Sequence, residues 1–160
     1  MKKLIIYTLL LTTLYTTGCK ENESKTDIVE ESSESKDGSF TVDGTKMTGK
    51  VSTQYFGSNK ETDNFSVLCQ QDEPLALLQA TFANEKNAKA GTLVPQGSSY
   101  QVSEGQFGLD LTVPGSDKRF IANDKSGGSL KIDGNKMTIT EMKLFDADGK
   151  TKVVNATINF

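Results

Sequence analysis

The sequence contains no histidine. That absence removes Ser-His and Cys-His nucleophilic sites, His-based zinc sites and the usual general base near neutral pH. Tryptophan is also missing, and with it the largest stacking face for a sugar ring. No Walker loop and no G-x-G-x-x-G is present, so no motif offers a phosphate cradle. The net charge is only −3, which gives no electrostatic case for nucleic acid or another polyanion. The longest apolar stretch, Leu4 to Tyr15, has 12 residues and is diluted by threonines. A membrane-spanning helix needs roughly 20.

What is present begins with a leader. Met1-Lys2-Lys3 is a positive start, Leu4 to Tyr15 an apolar core, and Thr16-Thr17-Gly18 a small-residue exit before Cys19. This order describes a secretory signal peptide over residues 1–18. The chain then turns polar. Residues 20–37 hold seven acids against three lysines, a net charge of −4, whereas residues 38–160 hold 14 acids against 13 bases. The acidic segment has only Ile28 and Val29 as large aliphatics. It cannot bury enough surface to offset its ordering entropy, so residues 19–37 read as a disordered tether.

From residue 38 a period-2 alternation dominates, the mark of half-buried strands. Phe107, Leu109, Leu111 and Val113 alternate with Gly108, Asp110 and Thr112. Val154, Ala156, Ile158 and Phe160 alternate with Asn155, Thr157 and Asn159. Phe65, Val67 and Cys69 share one face, and Leu75 to Phe82 is apolar nearly throughout, as in a fully buried strand. Asp43-Gly44, Asp133-Gly134 and Asp148-Gly149 suit type I′ hairpin turns, which need positive φ. Gly38 to Thr48 parallels Gly128 to Thr138 at seven of eleven positions. The similarity stops outside that window, so we read it as one hairpin solution selected twice. Only Asn84 to Ala90 looks helical, with Asn84 as cap and Gly91 as terminator.

These elements predict an all-β domain over residues 38–160, an antiparallel sandwich or barrel of about nine strands with one short helical turn. Its expected core is Phe40, Val42, Met47, Val51, Phe65, Val67, Leu77, Phe82, Leu109, Leu111, Phe120, Leu130, Ile132, Ile139, Ile158 and Phe160.

Candidate chemistry is sparse. Asp72-Glu73 before Pro74 points its carboxylates apart and reads as a solvated turn. Asp146-Ala147-Asp148-Gly149 has the alternate aspartates that open a calcium loop, but lacks the later ligands, and reads as a hairpin turn. The Gly-rich stretch Asp124 to Gly128 reads as a connector. Tyr55-Phe56 and Tyr100 adjoin polar loops, where an exposed ring can stack on a sugar or fill a partner's pocket. More often such rings close the end of a β core. No catalytic residue, cofactor or metal ligand is expected, and the domain reads as non-enzymatic.

Three resemblances extend this reading. Leu14-Tyr15-Thr16-Thr17-Gly18-Cys19 resembles the lipobox that lipoprotein signal peptidase cleaves before Cys, with Thr16 where that pattern usually has Leu. The resemblance implies a lipidated Cys19, its thiol carrying diacylglycerol and its new α-amine acylated. One acyl chain binds a membrane marginally and two or more anchor stably. Cys69 then has no intramolecular disulfide partner, and its strand position makes it a core thiol. Cys19-Lys20-Glu21-Asn22-Glu23 resembles the Lys-plus-acidic export signal of Bacteroidota surface lipoproteins. Gly97-Ser98-Ser99-Tyr100 is loosely similar to the Ser-Gly-x-x-Tyr loop of membrane-bound lysozyme inhibitors.

The layout as a whole resembles small Bacteroidota envelope lipoproteins. That implies an outer-membrane, lipid-anchored protein displayed at the surface, with a non-catalytic binding or structural domain. Its expected partners are the membrane, through the anchor, and an envelope protein or glycan. Two other readings stay open: an inhibitor or immunity lipoprotein acting on a lytic enzyme, and a glycan-active enzyme using two facing carboxylates.

Overall fold

A computed structural model of the chain describes residues 36–89, 91–97 and 101–160. The leader, Cys19 and the tether as far as residue 35 lie outside the described residues. The elements are β1 (Lys36–Val42), β2 (Thr45–Tyr55), β3 (Phe65–Gln71), β4 (Ala76–Phe82), α1 (Glu85–Ala88), β5 (Val94–Pro95), β6 (Gln106–Thr112), β7 (Phe120–Ile121), β8 (Ser129–Asp133), β9 (Lys136–Phe145) and β10 (Thr151–Asn159). The sheet begins at Lys36, inside the segment assigned to the tether.

Eight strands close into an antiparallel barrel in the order β1-β2-β3-β4-β6-β7-β9-β10, with β10 returning to pair with β1. Two extra strands lie outside that ring: β5 runs parallel to β6 and β8 antiparallel to β9. The all-β expectation holds, and of its two architectures the chain adopts the barrel. An eight-strand barrel leaves an interior just wide enough for side chains to fill. Here Phe40, Phe82, Phe107, Leu78, Met137, Met142, Leu144 and Ile158 fill it, each almost fully shielded from solvent. Each such side chain contributes about 1.5–3 kcal/mol of burial.

Most of the predicted core is inside. Leu77 is one of three exceptions, half-buried on the outer wall, while Ala76, Leu78, Ala80 and Phe82 point inward. An all-apolar run carries no parity signal, so the pleat rather than composition decides which leucine is interior. Ile132 and Phe160 are only partly buried against the core. The helical turn is one turn long: the Asn84 carboxamide oxygen accepts from Asn87 N at 2.8 Å, and the helix ends at Ala88.

One barrel end is closed by aromatic rings. Tyr55 and Phe65 lie 5.2 Å apart between centroids, and Phe65 and Phe160 6.0 Å. The Tyr55 hydroxyl donates to Glu85 of α1, and Lys36 of β1 reaches the Phe160 carbonyl at 3.4 Å. The opposite end carries the Asp43-Gly44 turn, the β3–β4 turn and the β9–β10 loop.

The two look-alike hairpins differ in register. In the first, Val42 pairs with Thr45 around Asp43 (φ 49°) and Gly44 (φ 83°), as a type I′ turn requires. In the second, Asp133 pairs with Lys136, so the central residues are Gly134 and Asn135, and only Gly134 has positive φ. The turn has moved by one residue and the strands have slid by two. An even slide keeps every side chain on its face, so Leu130, Met137 and Ile139 stay inside. Similar sequence has produced two different turns, which supports shared hairpin physics over duplication.

Two irregularities bend the barrel. Between the pairs Ile139↔Ala156 and Met142↔Val154, two β9 residues face Asn155 alone. This bulge holds Glu141 at φ 47°, and the Asn155 side chain accepts the Glu141 N–H at 2.9 Å. In β2, a Cβ at Gly49 would lie 2.0 Å from the Gln70 carbonyl oxygen. That backbone atom cannot swing aside, so glycine is required for β2 and β3 to approach.

Charge pins the seam between β1 and β10. The Asp43 N–H donates to the Val153 carbonyl, its carboxylate accepts from Val153 N, both at 2.9 Å, and Lys152 sits 2.7 Å from the other oxygen. The Lys152 hydrogen bond and then the Val153 N–H hold the Asp43 carboxyl below its usual range.

Gly49→Ala is expected to cost about 2–4 kcal/mol in urea unfolding through backbone overpacking; an unchanged midpoint would contradict the close approach. Asp43→Asn keeps a side-chain acceptor and a residue tolerant of positive φ but removes the charge. Because folding depresses the Asp43 pKa, its contribution is present above the unfolded value of about 3.9 and disappears as pH falls through the folded one. The variant should lose about 0.5 kcal/mol near neutrality, an exposed pair's scale. Denaturation curves measured at successively lower pH should converge with wild type as the pH falls through the depressed Asp43 pKa.

Candidate functional site

The residues singled out in the sequence scatter over the fold. Cys69 is fully buried in the core, and burial pushes its thiol pKa up, so it is an inert hydrophobe rather than a nucleophile. Asp72 and Glu73 are exposed in the β3–β4 turn, where Asp72 accepts from Gln70 at 2.8 Å. Tyr55 closes the barrel end, and Phe56 beside it is about half exposed. Residues 124–128 connect β7 to β8. Ser98, Ser99 and Tyr100 of the inhibitor-like loop lie outside the described residues.

The β9–β10 connection is a five-residue loop rather than a two-residue Asp-Gly turn, since Phe145 pairs with Thr151. Asp146 builds it. One carboxylate oxygen accepts from Asp148 N at 2.9 Å and from Lys150 N at 2.8 Å. The Asp146 carboxylate is therefore turned onto its own backbone, a hairpin arrangement rather than a calcium loop.

A cavity lies beside this loop. Its volume is about 490 Å³, and it sits on the outer wall toward the end away from α1. Its floor is one cross-strand row: Asp110 of β6 pairs with Ile121 of β7, which pairs with Phe145 of β9. Paired residues share a face. Leu111 and Phe120, one step along, point into the barrel, so the row points outward. The rim comes from two loops. Residues 117–119 line one side, Asp146 and Ala147 another, and Gly97 and Asn123 complete it. Lys118 is bonded to Asp148, clasping the two loops together. That bond raises the Lys118 pKa and lowers that of Asp148.

Asp110 is the unusual member. It is 4% exposed, although the row beneath it faces outward. The Arg119 guanidinium approaches Oδ1 to 2.7 Å, yet neither carboxylate oxygen accepts a hydrogen bond. The contact is thus a charge pairing without an aligned N–H. Gln79, its neighbour across β4, is turned away to Ser66 and Thr81 at 3.3 Å. Burying a carboxylate without satisfying its lone pairs costs several kcal/mol. Such groups are rare in folded proteins and call for a reason.

Sequence reasoning missed this residue. Alternation placed Asp110 with Gly108 and Thr112 on the face away from the core and so treated it as solvated. One signal was available: Arg119 is the only arginine in the chain, nine residues from the only acid of β6. Pairing a buried carboxylate is a common use of arginine.

Among the described residues the cavity lining has no hydroxyl, thiol or imidazole. Its chemistry is confined to charge, hydrogen bonding and apolar contact, apart from what its carboxylates can do as acids or bases. Among the described residues no helix is long and apolar enough to cross a membrane. No protein-family model matches the chain, and no curated protein or solved structure is similar to it. Its class is therefore defined by its own geometry: a small closed antiparallel barrel, filled inside, with a charged cavity on its outer wall.

Proposed function

We propose that the chain is a lipid-anchored protein of the bacterial cell envelope, held in the outer membrane through Cys19 and displayed at the surface. Its barrel binds a ligand in the outer-wall cavity without chemical turnover. The observation that carries the binding role is Asp110, a buried carboxylate whose oxygens accept no hydrogen bond, in a cavity whose described lining has no hydroxyl, thiol or imidazole. The leader ending at Cys19 and the acidic segment after it support the anchor.

Topology favours this arrangement. The tether would join the barrel at Lys36, beside Phe160 and at the α1 end. The cavity lies toward the other end, with Asp146 and Ala147 at its rim. An anchored barrel would thus present the cavity away from the bilayer.

A second reading has one specific observation in its favour. Asp110, Asp117 and Asp146 line the same cavity, as a carboxylate-dependent glycan-active enzyme would require. Turnover of aryl glycosides, lost in Asp110→Asn, would select that reading over non-catalytic binding.

The anchor is tested by expressing the full chain in a bacterium fed an alkyne fatty acid. The wild-type chain should take up the label and partition into the detergent phase of a Triton X-114 extract. Cys19→Ala should do neither. An unlabelled wild-type chain in the aqueous phase would overturn the anchor.

A further inference from the structure

We infer that the outer-wall cavity takes a small organic cation: a protonated amine carried on a short apolar body, with its N–H groups directed at Asp110. The inference rests on the binding role proposed above and names the class of ligand.

The acceptor side comes first. An ionised carboxylate only accepts hydrogen bonds, about four in all. Asp110 accepts none, although it is 4% exposed and lines the cavity. Arg119 meets Oδ1 at 2.7 Å. Both oxygens are shielded from solvent, so a ligand ammonium reaches them by displacing the half-exposed Arg119 side chain and then forms a charge-assisted bond in a desolvated place. Such bonds are roughly twice as strong as neutral ones.

The cavity's field selects the same sign. Asp110, Asp117 and Asp146 stand against Lys118 and Arg119, and Lys118 is already tied to Asp148. An anion would meet three carboxylates with one cation partly committed elsewhere. A metal ion is a poorer occupant. Among the described residues no three Asp, Glu, Cys or His side chains converge closely enough to hold one.

The apolar part has its own place. Ile121 and Phe145 follow Asp110 along the floor row. A short alkyl chain or ring can lie on them while the ammonium reaches Asp110, and the Phe145 face adds a cation–π contribution. A volume of about 490 Å³ lies within the usual range of small-molecule sites.

The test uses amide NMR of the full chain in detergent at about pH 7, where a simple amine is protonated. Benzylamine and hexylamine are the probes, with benzyl alcohol and benzoate as neutral and anionic counterparts. Saturable shifts are expected at Arg119, Ile121 and Phe145 with both amines, and binding at least about tenfold weaker for the alcohol and the acid. Asp110→Asn is isosteric and should weaken amine binding by at least about tenfold. Ala147→Trp narrows the cavity, leaves Asp110 in place and should also block binding; it decides the matter if the Asp110 variant fails to give a folded spectrum. Absent or non-saturating shifts, an equal response to the alcohol, or amine binding that survives both changes would overturn the inference, leaving water as the partner of Asp110. Fatty-acid labelling at Cys19 is indifferent to all of these results, so loss of the anchor and loss of the amine site are read separately.

Discussion

Pairing between the first and last strands turns a twisted sheet into a barrel, and every other feature depends on that seam. Asp43 and Val153 are 110 residues apart in sequence. Closing a flexible loop of that length costs on the order of 4 kcal/mol of chain entropy. The seam offsets this with the ladder from Ser39↔Thr157 to Val42↔Val154, each hydrogen bond contributing about 1 kcal/mol net. Burial adds to it, since Phe40, Val42, Ala156 and Ile158 enter the interior together. The Asp43 clamp at one end and the Lys36 contact with Phe160 at the other fix its register. Without the seam, β1 and β10 would be long open edges, prone to pair with other chains.

Closure also decides where function can reside. Once the ring is complete, Phe40, Phe82, Phe107 and Met137 converge from several sides and occupy the space a ligand would need. The outer wall remains. There β7 has only two residues and links β6 to β9 through the single pair Ile121↔Phe145. Such a short strand leaves the wall without a long outward-facing ladder, and the loops after β6 and β9 fold over it. The buried charge of Asp110 sits at this thinnest part of the barrel. Stability does not call for it, because an apolar residue there would pack beside Ile121 and Phe145 at no electrostatic cost.

Much of the fold was legible in the sequence because a half-buried strand writes its face into every second residue. The runs ending in Val113 and Phe160 show this, as does the Asp43-Gly44 turn. Legibility failed where parity or local chemistry was degenerate. Leu77 and Leu78 are chemically alike, so only the pleat assigns one inward. Asp133-Gly134 copies Asp43-Gly44 in sequence, yet the turn there forms on Gly134-Asn135, because strand pairing outside the turn sets the register. The sequence predicts Asp146 in a two-residue hairpin turn; it does serve a turn, through one oxygen that accepts from two backbone N–H groups, but the loop has five residues. The cavity was invisible for a further reason. Asp110, Ile121 and Phe145 meet only through register across three strands, and an outward-facing residue becomes buried only when loops distant in sequence cover it.

The central claim is a barrel filled within and receptive only on its outer wall. Methyl NMR of the protein titrated with lauric acid, a slender apolar probe able to enter any open lumen, tests it most directly. The account predicts no saturable shift at the interior methyls of Leu78, Leu109, Leu111, Met137, Ile139 and Ile158. Saturable shifts at those methyls would show a ligand-accessible lumen and contradict it.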